Sequence, residues 1–286
     1  MPEAIEFHCR FGTISGLRWG SGNSKKVLAL HGWLDNAASF CHLAPLLAEH
    51  GYDVIAIDFP GHGHSDHRAP GHNYLFINYL TDTHEVVEQL PGQDWILLGH
   101  SMGAGIGQMY ITAYPEKFKH LIMLENLGAI PSYQPDAGPE ILKKALHSWQ
   151  NHNLEHRNHY ATIEDAIEAR TKVTPMPVEV IRPMIERGLR QTHKGYHWRT
   201  DKRLRLNSLY RLTEEQINDY LKATAIPTHL ILAQPHTYAM SYPTVTQRIE
   251  ALKPQWFDYV EGDHHLHMSN TQAVFDIIIK RLQQDL

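Results

Sequence analysis

From residue 27 onward, short runs of consecutive apolar residues alternate with longer stretches whose apolar positions recur every three to four residues. Val27–Leu30, Asp53–Ile57, Trp95–Leu98 and His120–Leu124 are nearly continuous in apolar side chains, as strands covered on both faces should be. Between them, Ser39–His50, Leu75–Leu90 and Met102–Tyr114 follow the helical period. This alternation predicts an α/β fold, a parallel sheet with right-handed crossovers and helices on both faces. Ahead of it, Ile5–Cys9 and Thr13–Trp19 predict an antiparallel hairpin at the sheet edge, with Gly12 in the turn.

The alternation stops after Leu124. Pro131, Pro135, Pro139, Pro175, Pro177 and Pro183 punctuate the next stretch, with helical patterns at Glu140–Gln150, Ile163–Lys172, Val178–Thr192 and Glu214–Thr224. It then resumes with strand Thr228–Leu232, helix Pro243–Leu252, strand Trp256–Val260 and helix Thr271–Gln284. The expected organisation is a core made of residues 1–126 and 226–286, carrying an inserted helical cap at 127–225. Trp95 to Pro115 lacks Asp, Glu, Lys and Arg and approaches the ~20 residues of a membrane span. Its glycines, Gly99, Gly103, Gly105 and Gly107, with His100, Ser101, Gln108 and Thr112, point instead to a strand, a tight turn and a buried helix.

Composition changes this picture little. With 286 residues, 42% hydrophobic and 20% charged, the chain is neither disordered nor fibrous, and it is long enough to bury a core without staples. A net charge of −5 without basic blocks argues against nucleic acid and anionic membrane as partners. The two cysteines, Cys9 and Cys41, and an N-terminus with Glu3 and Glu6 but no apolar leader fit a cytoplasmic protein. The 22 histidines come with no C-x-x-C and no H-E-x-x-H, so no metal or other cofactor is expected.

Gly99-His100-Ser101-Met102-Gly103 fits G-x-S-x-G between a strand and a helix. A turn that sharp strains its central residue and admits only glycine on either side. It lifts the Ser101 hydroxyl clear of the sheet beside a helix N-terminus. A serine hydroxyl needs a general base oriented by an acid. Gly262-Asp263-His264-His265-Leu266-His267 follows the last strand and offers three histidines. Asp263 is a poor orienter for His264, because neighbouring side chains on an extended segment point apart.

The chain resembles the α/β-hydrolases. His31-Gly32-Trp33 stands where that family carries its H-G loop, and Asp58-Phe59-Pro60-Gly61-His62-Gly63-His64-Ser65 resembles its D-x-x-G-x-G-x-S turn, read here as structural. The resemblance implies an oxyanion hole made by the backbone amides of Trp33 and Met102. It implies His264 as base, with His265 as runner-up, since the family places a second histidine or polar residue three positions on, here His267. The family's common acid position, after Thr228–Leu232, is empty: Ala233 to Ile249 contain no Asp or Glu. The other known position, at the end of the strand after the nucleophile's helix, holds Glu125. His62 and His64 read as loop polar residues rather than metal ligands.

Gly32-Trp33-Leu34-Asp35-Asn36, the Glu125 placement, Gly195–Leu204 and His264–His267 are together similar to the serine hydrolase-like protein group. His31, Gly32, His100 and Trp198 are the substrate-binding candidates. The Trp198/Arg199/Asp201/Arg203 cluster either walls the pocket or anchors the cap to the core by Arg–carboxylate pairing and aromatic packing. The expected activity is hydrolysis of a small or medium apolar carboxylic ester through Ser101, His264 and Glu125. Lactone, thioester or carbon–carbon bond hydrolysis would use the same triad. A non-catalytic small-molecule binding protein is the alternative on the same fold. Haloalkane dehalogenases share the acid's placement but carry Asp where Ser101 stands.

Overall fold

The computed structural model describes residues 1–132, 138–152, 159–235 and 244–284. In chain order the first elements are β1 (Glu3–Cys9), β2 (Gly12–Trp19), β3 (Lys25–Leu30), α1 (Leu43–Glu49), β4 (Tyr52–Ile57) and α2 (Asn78–Val87). Next come β5 (Trp95–His100), α3 (Met102–Ala113), β6 (Phe118–Leu124), α4 (Gly138–Asn151), α5 (Ile163–Thr171) and α6 (Val178–Gly188). The chain continues through β7 (Leu189–Thr192), β8 (Gly195–Trp198), α7 (Glu214–Lys222), β9 (Thr228–Gln234) and α8 (Val245–Leu252). It ends with β10 (Trp256–Glu261), α9 (Leu266–Ser269) and α10 (Thr271–Gln284).

Eight strands form one sheet in the order β1-β2-β4-β3-β5-β6-β9-β10. Only β1–β2 and β2–β4 pair antiparallel; every other pairing is parallel. Strand residues alternate between two cores. Leu28, Leu30, Leu97, Leu121 and Met123 pack on the α2/α3 side. Val27, Ala29, Ile96, Leu98, Ile122 and Leu124 pack on the α1/α10 side. Both faces are thus covered, which is why these strands carry no polar alternation. No helix among the described residues is long and apolar enough to cross a membrane.

The expected helix Ser39–His50 is instead a 3-10 turn, Ala37–Phe40, followed by α1. Asn36 starts the turn early, its side chain accepting from Ala38 N at 3.0 Å. The expected helix Val178–Thr192 ends at Gly188, and the chain turns into the β7–β8 hairpin. Gly195 closes that hairpin at φ +100, where a Cβ would lie 2.3 Å from the Tyr160 carbonyl oxygen. The expected helix start at Pro243 lies outside the described residues.

The segment between β6 and β9 has two parts. α5, α6 and β7, joined by Met268 of α9, build a small core from Ala166, Ile167, Met176, Ile181, Met184, Ile185 and Leu189. α7 belongs with the main core through Ile217 and Leu221. Several ties hold the segment over the sheet's carboxyl edge. Arg187 pairs with the sealed Asp58, Nη2 to Oδ2 at 2.7 Å. Asn36 Nδ2 donates to Met184 O at 2.8 Å. Asp201 accepts from Tyr74 Oη at 2.8 Å and pairs with Arg203, whose guanidinium also donates to the carbonyls of Arg68, Ala69 and His72. The Arg203/Asp201 part of the cluster therefore anchors insert to core.

At the far end, Arg248 is fully buried. It donates to both Glu214 oxygens at 2.7 Å and to the Leu127 and Ala129 carbonyls. Neutralising Glu214 takes a carboxylate charge away from a fully buried guanidinium. Glu214→Gln should therefore lower unfolding free energy by about 3 kcal/mol. Urea titration should show a far smaller effect, within ~0.5 kcal/mol, for Glu168→Gln, which breaks the exposed Lys172–Glu168 pair.

Candidate active site

β5 runs buried along its whole length into Ser101, which takes φ 47 and ψ −118 as α3 begins at Met102. The flanking glycines are required by contact. A Cβ on Gly99 would lie 2.3 Å from Ala104 Cα, and one on Gly103 would lie 2.2 Å from the Leu30 carbonyl oxygen. Ser101 N donates to Leu124 O at 2.9 Å, tying the turn to the end of β6.

The structure brings Ser101, His264 and Glu125 together. Ser101 Oγ stands 2.9 Å from His264 Nε2. His264 Nδ1 stands 3.3 Å from Glu125 Oε2. Glu125 is sealed from solvent and sits at φ 55, just past β6. Its Oε1 accepts from Ala233 N at 2.6 Å, and its own amide donates to Ile231 O at 3.0 Å. Glu125 is thus fixed by the neighbouring strand β9. Asp263 faces elsewhere: its Oδ1 accepts from His265 N at 2.8 Å, ahead of α9.

The loop after β3 lies against the turn, because Gly103 touches the carbonyls of Leu30 and His31. Trp33 N donates to no described residue. Met102 N is a first-turn amide without an intrahelical acceptor. Leu34 holds φ 65, and its amide donates to His62 Nε2 at 3.2 Å. Burial pushes His62 down to about 3, so its ring stays neutral and keeps the lone pair this bond requires.

Two of the expected substrate contacts, His31 and His100, need correction, because both are sealed from solvent, whereas Trp198 stays partly exposed. His31 is fully buried; its Nε2 accepts from Phe59 N at 2.9 Å and its Nδ1 lies 2.7 Å from Gly32 O. With both nitrogens engaged inside the core, it shapes the loop rather than meeting substrate. His100 is also sealed, and its Nε2 donates to His264 O at 2.7 Å. Trp198 lies against the insert's small core and donates from Nε1 to Tyr160 Oη at 3.3 Å. Gly32 contributes by having no side chain: a Cβ there would lie 2.9 Å from both Asp35 Oδ2 and His100 Nδ1.

Asp35 was legible only as part of a motif, yet it is a hub. Its Oδ2 lies 3.2 Å from His265 Nε2 and 3.5 Å from His100 Nδ1, and its Oδ1 lies 3.5 Å from Arg170 Nη2. Burial acts to raise its carboxyl pKa, but the His265 charge and the His265 hydrogen bond outweigh that and hold it well below the usual range. His265 is the mirror case: burial opposes its charge, Asp35 overrides burial, and its pKa rises. Burial dominates at His100, pushed down to about 4. No spacing rule could have found these partners, since they lie 65 to 230 residues from Asp35 in the chain. Asp35, His100 and His265 are also the one group among the described residues whose donor atoms could hold a metal ion.

Residues 25–168 match the family described as alpha/beta hydrolase fold. The chain belongs to that family, and it is a hydrolase by that membership. Within it, the chain is similar to the serine hydrolase-like protein of Danio rerio, 30% identical over 96% of this chain and 86% of that protein. Serine hydrolase-like protein 2 of Homo sapiens is likewise 30% identical, over 96% of this chain and 91% of that one. Among solved structures, a hypothetical protein of Pseudomonas aeruginosa PAO1 superposes with a TM-score of 0.88 at 36% identity, covering 96% of both chains.

The Asp35–His265 pair gives stability a pH signature. His265 has a raised folded pKa, so its contribution is complete below its ordinary value of 6.5 and lost as pH rises through the raised value. The lowered Asp35 carboxyl contributes above its ordinary 3.8 and loses that contribution only in stronger acid. The gap in unfolding free energy between wild type and Asp35→Asn should therefore be widest at pH 6 and smaller at pH 9. Paired urea melts at the two pH values measure it.

Proposed function

We propose that the protein is a serine hydrolase that cleaves a small or medium apolar carboxylic ester through an acyl-enzyme. The observation that carries this reading is the hydrogen-bonded chain Ser101–His264–Glu125, with 2.9 Å and 3.3 Å links, at a strained strand-to-helix turn. His264 Nε2 takes the Ser101 proton as Oγ attacks the acyl carbonyl. Glu125 keeps the other proton on Nδ1 and stabilises the imidazolium that forms. The amides of Trp33 and Met102 receive the oxyanion. Protonated His264 then gives its proton to the departing alcohol. In the second half, water attacks the acyl-enzyme with His264 again as base, and the carboxylic acid leaves.

The insert, residues 127–225, is the proposed cap over this site, and the partner is a small-molecule acyl substrate. Its apolar character is read from Leu142, Leu146 and Trp149, which α4 leaves exposed, and from the half-exposed Trp33. A cytoplasmic setting fits the free Cys9 and Cys41. Burial pushes both thiols up to about 11, so neither competes with Ser101 as a nucleophile.

A fluorophosphonate probe should label the wild-type protein at Ser101, and a panel of esters of increasing acyl length should give turnover with an apolar optimum. Ser101→Ala should lose labelling and on the order of 10⁴-fold or more in kcat with the fold retained. Glu125→Gln keeps size but favours the wrong imidazole tautomer, and should lose up to ~10⁴-fold. His264→Ala should be nearly as damaging as Ser101→Ala. A Ser101→Ala enzyme within tenfold of wild type would remove the nucleophile assignment.

A further inference from the structure

The triad leaves one sealed carboxylate at the site without a part in the chemistry. Asp35 is 2% exposed. A buried carboxylate persists as an ion only where partners compensate its lost hydration. Its partners come from separate parts of the chain: His100 from the end of β5, His265 from the loop after β10, and Arg170 from α5 of the insert. Its own amide donates to Gly32 O at 3.2 Å, closing the turn that carries Trp33 and Leu34.

Two of these partners hold the residue between them. His100 Nε2 donates to the carbonyl oxygen of His264. The His265 ring, one residue further on, reaches Asp35. A carbonyl can only accept, so the first bond fixes the His100 proton on Nε2 and turns the Nδ1 lone pair toward Asp35. The attractive link to the carboxylate is therefore carried by charged His265, with Arg170 on the second oxygen. These two positive groups already supply what a metal ion would bring to the same triangle. Around His265 stand Asp35, Asp263, Arg170 and the rings of His100, His264 and His267.

The geometry points to Asp35 as a positioning residue: its pairing with His265 holds the loop that carries His264 in register with the loop that carries the Trp33 amide. This rests on the triad reading above. It makes a specific demand. Loss of the pair should move the base relative to Ser101 and the oxyanion donors without removing any reacting group, so the chemical step should slow while binding is kept. Misplacement of a catalytic group by about 1 Å costs on the order of 10²-fold.

The test compares Asp35→Asn, His265→Gln and the double variant. The readouts are fluorophosphonate labelling of Ser101, steady-state ester kinetics and circular dichroism. Each single variant should lose about 10- to 100-fold in labelling rate and in kcat, with KM within about threefold. The double variant should be no worse than the poorer single, because both remove one shared interaction. Overnight chelation of the wild type should leave its rate unchanged. The inference is overturned if Asp35→Asn is labelled and turns over at the wild-type rate. It is equally overturned if the losses multiply in the double variant, if they fall on KM alone, or if chelation abolishes activity that zinc restores. Should Asp35→Asn fail to fold, His265→Gln makes the same kinetic demand by itself. A wild type that resists labelling altogether would instead strike the triad reading, so the two failures are distinct.

Discussion

Gly103 rests against the carbonyl oxygen of Leu30 so closely that a single added carbon would lie 2.2 Å from it. That approach joins the first turn of α3 to the end of β3 and decides much of what surrounds it. It fixes how far α3 enters the cleft between neighbouring strands. It also sets the loop from His31 to Asn36 beside the Met102 amide. On the other side, the Gly99 position touches Ala104 Cα, so the chain reverses with backbone against backbone. Packing of this kind cannot relax by a rotamer change, because no flexible side chain is available to give way. The serine at the apex is held by its surroundings rather than by its own preference.

Strain concentrates where the chemistry is proposed. Ser101 at φ 47, Glu125 at φ 55 and Leu34 at φ 65 are non-glycine residues in left-handed backbone, and such positions cost on the order of 1–3 kcal/mol each. Each is pinned by an amide hydrogen bond to a different neighbour: Leu124 O, Ile231 O and His62 Nε2 respectively. The sheet under them supplies the compensation, since β4 and β5 are buried along their full length. Stability from the core is thus converted into fixed directions for a hydroxyl, a carboxylate and an amide. Arg187–Asp58, Asp201–Tyr74 and the Arg203 bonds to the Arg68, Ala69 and His72 carbonyls then tie the segment between β6 and β9 to the core.

The succession of strands along the chain and the turn at Ser101 were legible because each is written locally. An apolar run followed by G-x-S-x-G needs only neighbours in sequence to be read. The β7–β8 hairpin was not legible. Leu189–Trp198 has no apolar alternation, and what shapes it is the approach of Gly195 to Tyr160, thirty-five residues away. Asp35 escaped for the same reason, since its partners assemble only when four separate parts of the chain meet. His31 and His100 were misplaced as substrate contacts because a histidine beside a nucleophile looks reactive in sequence. The structure seals both, holding His31 between Phe59 N and Gly32 O and binding His100 Nε2 to His264 O. Burial, which decides between these roles, is not a local property.

The position of Glu125, the proposed acid, shows how topology constrains a side chain. Along the sheet, β5 leads into Ser101, β6 leads into Glu125, and β9 separates β6 from β10, whose following loop brings His264. A carboxylate leaving β6 must therefore reach across the end of β9 to meet the histidine. Glutamate has one methylene more than aspartate for that crossing. Its far end is steadied midway, where Ala233 N at the end of β9 donates to Oε1 and leaves Oε2 for His264. An amide donor there stabilises the ionised carboxylate and fixes which oxygen faces the ring. In the proposed triad the acid therefore does not come from the segment after β9, whose sequence from Ala233 to Ile249 holds no carboxylate at all.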